Sequence, residues 1–485
     1  MVFVVVDTLI MARMVYAHRM KRRIQRRDVL KGAGAVGIAG LAGCSTESGD
    51  GGDGSDGGDG MDGGDGSDGG DGMDGDDGSD GGDQNNVPDA VMVVGFPQSG
   101  IQLFRDFYSD FAGSAPDLDI IVPDGLIDSD LPGEVDNDMN NVIGTAPSAG
   151  GPGAEFFTSS YEEEYGEGPG VFTAQAYDAM AVEILAATAA GENSGEAIRD
   201  RVRTVANPGG EEFGPADLPE AVETVAGGDP VHYVGASSSV DFDVNGDIST
   251  AAYDIIDFQD GELVTLDTVE FGNELSDEDQ NATAADPVGV DSFTARIGVL
   301  MPETGDLGPL GVPIRDGALL AATQVNDAGI NVDVETRVED TQTDPQAGIS
   351  GANALVNAGF GAVVGPASSN VNLQVSEQVF IPNGVVGVSP SSTDPNVTDL
   401  EDNGYIFRTA PSDLLQGPAM ADLAVSDTVG ASTSGTLYLN DAYGQSLEES
   451  YVNAFEERDG TVDQRVSFEP NQATYTSQWS SVLNQ

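Results

Sequence analysis

The sequence predicts an α/β protein with parallel sheets flanked by helices. Three observations carry the prediction. Apolar runs at 90–96, 119–123 and 141–145 are continuous rather than alternating, the pattern of strands buried on both faces. Segments at 98–113, 153–165, 171–190 and 194–206 have helical spacing and lie between or after them. A second series of the same kind starts at Ala295, with strands expected at 295–301, 331–337, 361–364, 385–388 and 435–439. Its helices are expected at 313–327, 345–358, 371–380, 414–427 and 445–457. Alternation of this sort builds layered sheets with crossover helices. The stretch 251–271 differs: it reads as two strands around Asp260-Gly261, a hairpin turn pair.

Length and charge set the outer limits. The 485 residues suffice for two to four domains, or for one two-lobed unit. The formal net charge is −65, a surface that repels nucleic acid and anionic lipid headgroups. Such charge opposes compaction in dilute salt, whereas in molar salt the screening length falls to about 3 Å. No lysine follows Lys31, so every later cation is arginine. Short carboxylates in place of apolar Lys stems fit a protein hydrated in brine. The competing reading, an acidic disordered chain, suits residues 49–84 but not the periodic sequence beyond Asn85.

Cys44 is the single cysteine, and His18 and His232 are the only histidines. An internal disulfide is therefore impossible. Cys/His metal clusters and histidine-based triads have little material to draw on. No cofactor is implied.

The N-terminal region reads as an address and a tether. Arg26-Arg27-Asp28-Val29-Leu30-Lys31 looks like a twin-arginine export signal, and the small-residue apolar run Gly32 to Ala42 follows it. The run ends in Leu41-Ala42-Gly43-Cys44, which resembles a lipoprotein processing box with Cys44 as the lipid attachment point. Residues 1–44 are thus assigned to the signal, with Met20 as the better start because Lys21, Arg22 and Arg23 then stand at the N-terminus. The expected location is outside the cell, anchored to the outer face of the cytoplasmic membrane. Residues 45–86 are assigned to a hydrated tether built on the repeat GGDGSDGGDGMD at 51–62 and 63–74. Calcium binding by that repeat is the alternative, but the apolar residue of calcium repeats is missing.

Several stretches resemble one family. ARIGVLMPETGDLGPLGVPIRDGALLAATQVNDAG resembles the opening of the leucine/isoleucine/valine-binding proteins, which have the type I periplasmic-binding fold. VVGPASSNVN and VSPSSTDP resemble its next two ligand loops, and LYLNDAYGQSLEESYVNAFEERDG the first strand–helix unit of its second lobe. VMVVGFPQSG, IIVPDG, VFTAQAYDAM and the 251–271 hairpin resemble its second half. The resemblance implies two Rossmann-like lobes joined by a hinge, closing on a solute delivered to an ABC permease and its ATPase subunits.

The order departs from the family. There, the segment beginning near Ala295 comes first; here it comes last. Reading Gln485 into Asn85 restores a helix–loop–strand passage, so the expectation is a circular permutant. Residues 87–271 would be the family's second half, 272–293 an acidic bridging linker, 294–412 the main part of lobe 1 and 413–485 the first part of lobe 2. A rearranged gene with a non-functional product is the competing reading.

The resemblance also nominates a site. Ser369 would hold a ligand carboxylate at a strand-to-helix junction, where helix N–H groups add donors. The Ser391 position would offer a carbonyl to the ammonium, and Thr393 a hydroxyl and an N–H. Asp124 would pair with the ammonium. Tyr443 and Phe96 would form aromatic walls, and Leu310 falls where some relatives carry Tyr. Each has a plainer reading: a helix cap for Ser369, turn residues for Ser391, Thr393 and Asp124, core packing for the aromatics. The expected ligand is an amino acid, branched-chain or similar, with amides, urea and aromatic acids or a sensing role as alternatives. Catalysis is not expected. Ser369 and Ser391 could be nominated as nucleophiles, but His232 is the one histidine after the signal, and neither G-x-S-x-G nor a G-x-x-x-x-G-K-[ST] loop occurs.

Overall fold

The computed structural model describes residues 87–272, 275–276, 279 and 284–485. Arg26, Arg27, Cys44, the tether and part of the 272–293 linker lie outside the described residues. Two sheets organise the rest.

The larger sheet has seven strands. Its central members are β1 (Ala90–Val94), β2 (Asp119–Val122) and β3 (Val142–Pro147), parallel to one another. β1 and β3 are buried at every residue, which is what a continuous apolar run requires. β6 (Thr250–Gln259) and β7 (Glu262–Gly272) form the expected hairpin, antiparallel, with β6 against β3. Asp260 and Gly261 both have positive φ (53° and 83°), the geometry that a two-residue turn between twisted strands demands. The other edge comes from the far end of the chain: β13 (Thr433–Leu439) and β14 (Thr461–Phe468). β13 lies parallel to β1, from Ala90 opposite Ser434 to Val94 opposite Tyr438. The order is β14-β13-β1-β2-β3-β6-β7, so segments on both sides of the linker share one sheet.

The smaller sheet holds β8 (Phe293–Met301), β9 (Val332–Asp340), β10 (Ala362–Val364), β11 (Val386–Ser389) and β12 (Ile406–Arg408), all parallel in the order β12-β11-β10-β8-β9. A two-stranded ribbon, β4 (Glu211–Phe213) with β5 (Val231–Tyr233), completes the strands described.

Helices cover both sheets. In chain order they are α1 (Pro97–Asp106), α2 (Leu131–Val135), α3 (Ala154–Tyr165), α4 (Thr173–Ala190), α5 (Gly195–Ala206), α6 (Leu218–Ala226) and α7 (Gly308–Asp327). Then follow α8 (Pro345–Ala358), α9 (Ser369–Val375, running on through π and short α turns to Asn383), α10 (Asp413–Val425), α11 (Ala442–Glu457) and α12 (Thr476–Val482). Helix α4 is buried along all 18 of its residues. A helix mainly apolar all round, here with only Gln175, Asp178, Glu183 and two threonines as buried polar residues, belongs inside a core. It packs on β8, β10 and β11 and against α5 and α7, so a segment that precedes the linker also completes the core of the smaller sheet.

The two ends of the folded region meet. Pro88 and Val482 both press on Gly435 of β13, where a Cβ would stand 3.6 Å from the proline ring and 2.6 Å from the valine methyl. Helix α12 is fastened to α1: Trp479 is fully buried, its Nε1 donates to the Leu103 carbonyl at 2.8 Å, and its ring packs on Phe107 at 4.7 Å. Trp479→Ala is expected to cost about 3–5 kcal/mol, read as a lowered urea midpoint in molar salt. A loss below about 1 kcal/mol would mean that α12 is not integral to the fold.

Elements differ from expectation in identifiable places. Helix α7 starts at Gly308, not near Pro313, because Pro309 is accommodated in its first turn and Pro313 one turn further in. Strands β4, β5 and β12 have three residues each, too short to give a period. β14, an edge strand, mixes exposed Thr, Gln, Arg and Ser with its apolar residues.

Candidate functional site

Strands of parallel sheets end in loops at their carboxyl edge, where ligands of open α/β folds bind. Here the ends of β1, β2, β10 and β11, the start of α7 and the start of α11 surround one cavity. Six of the seven nominated residues line it: Phe96, Asp124, Leu310, Ser369, Ser391 and Tyr443.

Asp124 leads out of β2 into a 3-10 turn and is 3% exposed. Its Oδ2 accepts from the Tyr443 hydroxyl at 3.4 Å, while Oδ1 is buried with no hydrogen-bond partner. Desolvation pushes its pKa up to about 6, partly offset by the nearby Gln416 amide, its own backbone and the Tyr443 hydroxyl. The Asp-Gly pair that could have been a simple turn has a tighter reason. A Cβ on Gly125 would lie 2.5 Å from the Gly95 carbonyl and 3.0 Å from the Tyr443 hydroxyl. Glycine is what lets the two strand ends and the tyrosine close on one another.

Tyr443 and Phe96 stack, ring centroids 5.3 Å apart and 6° from parallel. The tyrosine hydroxyl also receives the Gly125 N–H at 3.3 Å. Leu310 and Ile314, one turn apart on α7, add an aliphatic wall.

Ser369 opens α9. Its Oγ accepts the backbone N–H groups of Thr393 (3.2 Å) and Asp394 (3.3 Å), which leaves the hydroxyl hydrogen free to donate. Ser368 Oγ beside it is buried without a partner. Ser391 donates its hydroxyl to the Ala367 carbonyl at 3.2 Å, tying two loops together.

Thr393 stands apart from the other six nominated residues, and its Oγ1 is buried without a hydrogen-bond partner. It is fully buried behind Ser369 and outside the cavity lining, with its N–H given to that serine. It positions the serine from behind. Its carbonyl receives the N–H of Asp413, the first residue of α10.

Sequence reasoning missed several contributors. Phe172 lines the cavity at φ 65°, a left-handed backbone that a bulky residue adopts only under constraint from its surroundings. Behind Asp124 lie Asp413 and Gln416, both fully buried. Burial, then the charge of Asp124, raises the Asp413 pKa well above the aspartate range. Asp413 Oδ1 and Gln416 Oε1 lack hydrogen-bond partners. Arg408, also fully buried, offsets this acidity: it pairs with Asp247 (Nε–Oδ1 2.5 Å) and donates to Thr398 Oγ1 at 2.7 Å and the Asp394 carbonyl at 2.9 Å. Among the described residues, no group of three or more His, Cys, Asp or Glu is disposed to hold a metal ion. Nor is any helix there long and apolar enough to cross a membrane.

Residues 294–485 match the sequence profile of a family described as periplasmic binding protein. A leucine-, isoleucine-, valine-, threonine- and alanine-binding protein of Pseudomonas aeruginosa is 33% identical over 158 residues, covering 32% of this chain and 41% of its own length. A Leu/Ile/Val-binding protein homolog of Brucella melitensis is 32% identical over 162 residues, 33% of this chain and 43% of its own. The chain thus spans less than half the length of these curated relatives. Among solved structures, a leucine-binding protein from Thermotoga maritima has 24% identity and a TM-score of 0.35, covering 39% of this chain and 53% of its own. A Streptococcus pneumoniae branched-chain amino acid transporter substrate-binding protein, solved with isoleucine, has 24% identity, a TM-score of 0.35 and coverage of 40% and 54%. At those TM-scores the structural likeness adds nothing to the sequence match. Over residues 294–485, the chain is thus similar to periplasmic binding proteins, and the curated relatives it matches there are named as leucine/isoleucine/valine-binding proteins.

Proposed function

We propose that this chain is the extracytoplasmic binding component of an ABC importer and captures an amino acid of branched-chain type. One observation carries the reading. A buried carboxylate oxygen without a partner, Asp124 Oδ1, and a serine hydroxyl whose hydrogen is free, Ser369, line the same cavity as aromatic and aliphatic walls. Buried polar atoms left unpaired in a cavity call for a polar occupant. A zwitterion supplies both complements: its ammonium to Asp124 and the Ser391 carbonyl, its carboxylate to Ser369 and Ser368. Leu310, Ile314 and the Phe96–Tyr443 stack would take an apolar side chain. Relatives named as leucine, isoleucine and valine binders support the ligand class.

The remaining assignments follow from the same reading. Export through the Arg26-Arg27 signal and lipid attachment at Cys44 would hold the chain beside its permease and ATPase partners, with 45–86 as tether. The exchanged segment order is a circular permutation in which the hinged lobes still assemble. Its support is the sheet that β1 and β13 share and the meeting of Pro88 with Val482 at Gly435.

Calorimetry in molar salt against leucine, isoleucine, valine, an amide and benzoate tests the proposal. The three branched amino acids are expected to bind, and Ser369→Ala to weaken them about ten- to a hundredfold, the worth of a hydrogen bond to a charged group. Binding of benzoate alone, or of nothing, would overturn it.

A further inference from the structure

Helix α1 begins at the cavity wall, and its N-cap position is occupied by Phe96, whose ring is committed to the stack on Tyr443. Phenylalanine has no oxygen to offer, so α1 has no side-chain cap at that position. Its first-turn N–H groups are satisfied from the other lobe. Pro97 has no N–H. Gln98 N–H donates to the Asp306 carbonyl at 3.3 Å, and Ser99 N–H and Oγ donate to Asp306 Oδ1 at 2.8 and 2.7 Å. Asp306 lies between β8 and α7 of the smaller-sheet lobe, whereas α1 follows β1 of the larger sheet. The residue is 4% exposed, and its second oxygen, Oδ2, is buried without a partner. The Asn471 N–H, on the larger-sheet side, closes the set by donating to Ser99 Oγ at 3.2 Å.

We infer that Asp306 is a latch between the lobes: it supplies in trans the cap that α1 gave up to the ligand wall, so that closing the cleft and capping α1 are one event. Asp306 does not line the cavity and is a positioning residue. An opposing group stands nearby. Burial first, and then the charges of Asp306 and Asp394 from the smaller-sheet lobe and of Glu469 from its own, push up the pKa of Asp441, the N-cap of α11 on the larger-sheet lobe, to about 7. Like charges brought together on closing oppose it, and salt relieves them. The latch thus attracts through helix N–H groups and is held back by Asp441.

The test uses the full chain with Cys44→Ser and spin labels at Ser350→Cys on α8 and Glu449→Cys on α11, both exposed. Interlobe distances are measured in molar salt with and without leucine. Without leucine, Asp306→Ala and Ser99→Ala are expected to move the distribution to longer separations. Asp441→Asn, which keeps the cap on Gly444 but drops the charge, is expected to move it to shorter ones. With leucine, Asp306→Ala is expected to raise the dissociation rate about tenfold, the size of a lost N-cap, and to change the association rate less. Only this last expectation rests on the ligand reading. Failure of the parent to bind leucine while the distances shift would overturn the ligand and leave the latch. Distances unchanged in Asp306→Ala and Asp441→Asn would overturn the latch.

Discussion

Replacing Asp124 with asparagine is expected to weaken amino-acid binding by about thirtyfold or more and, at neutral pH, to make the ligand-free chain more stable. Both effects come from one desolvated carboxylate. In the folded chain its proton is retained up to about pH 6, against an ordinary aspartate value of 3.8. Between those values the folded state binds more protons than the unfolded one, so stability is full below about pH 4 and falls as pH rises towards 6. The shift corresponds to about 3 kcal/mol at neutral pH as an upper figure. Asparagine keeps the shape and removes the charge. The urea midpoint of Asp124→Asn should therefore exceed the parent's at pH 7 and match it at pH 4. Taking the difference between the two proteins cancels the dependence that Asp306 and Asp441, also raised by burial, contribute to both.

Binding should move the other way. An ammonium needs the ionised carboxylate, so leucine affinity in the parent should decline as pH falls below about 6. Removing one partner of a buried charge pair typically costs 2–5 kcal/mol, about thirtyfold or more in affinity. The control is 4-methylpentanoate, leucine without its amino group. Asp124→Asn should spare it, and equal losses for both ligands would take Asp124 out of the ammonium's reach.

Much of this site was legible because its residues sit where strands end. Continuous apolar runs located β1, β2, β10 and β11, and the residues just past them are those nearest a ligand in this architecture. The resemblance nominated Asp124 and Ser369, and both sit just past such strands. What escaped is the layer behind. Thr393 looks like a ligand residue in the string Ser391-Ser392-Thr393, but its N–H is consumed by Ser369, a partner 24 positions away. Asp306 caps a helix 207 positions distant, and no local pattern encodes such a pairing. Asp413 and Gln416 did leave a trace. They stand three apart at the start of α10, hence on one helix face, and a helix that turns an acid and an amide to the same buried side has a polar cavity to serve. Helix α4 shows helical spacing in the sequence, but nothing local says which sheet it enters. Edge strand β14 escaped for the opposite reason: half its residues face water, so burial imposes no period.

The largest structural prediction concerns the covalent order. A protease site inserted between Gly272 and Ala284 and then cut is expected to leave one particle that still binds leucine. The reason is where the core lies. β1 and β13 exchange backbone hydrogen bonds along five residue pairs from opposite sides of the cut. Helix α4, from the first piece, fills the core between α7 and the strands β8, β10 and β11 of the second. Trp479 of the second piece is bonded to Leu103 of the first. Pieces joined through one continuous core resemble an obligate interface, which buries about 2,000 Å² or more and is as apolar as a domain interior. Hydrogen bonds such as those from the Val288 and Val290 N–H groups to the Ala189 and Ala226 carbonyls lie beyond the cut and persist, so cutting removes chiefly the entropy of holding the pieces near each other, and that grows slowly with loop length. Cut and uncut chains should therefore co-elute in molar salt and separate only in denaturant. Two half-proteins fused in the wrong order would behave differently. Each would keep its own core, the pieces would part on a sizing column without denaturant, and the cavity between Asp124 and Ser369 would be lost with them.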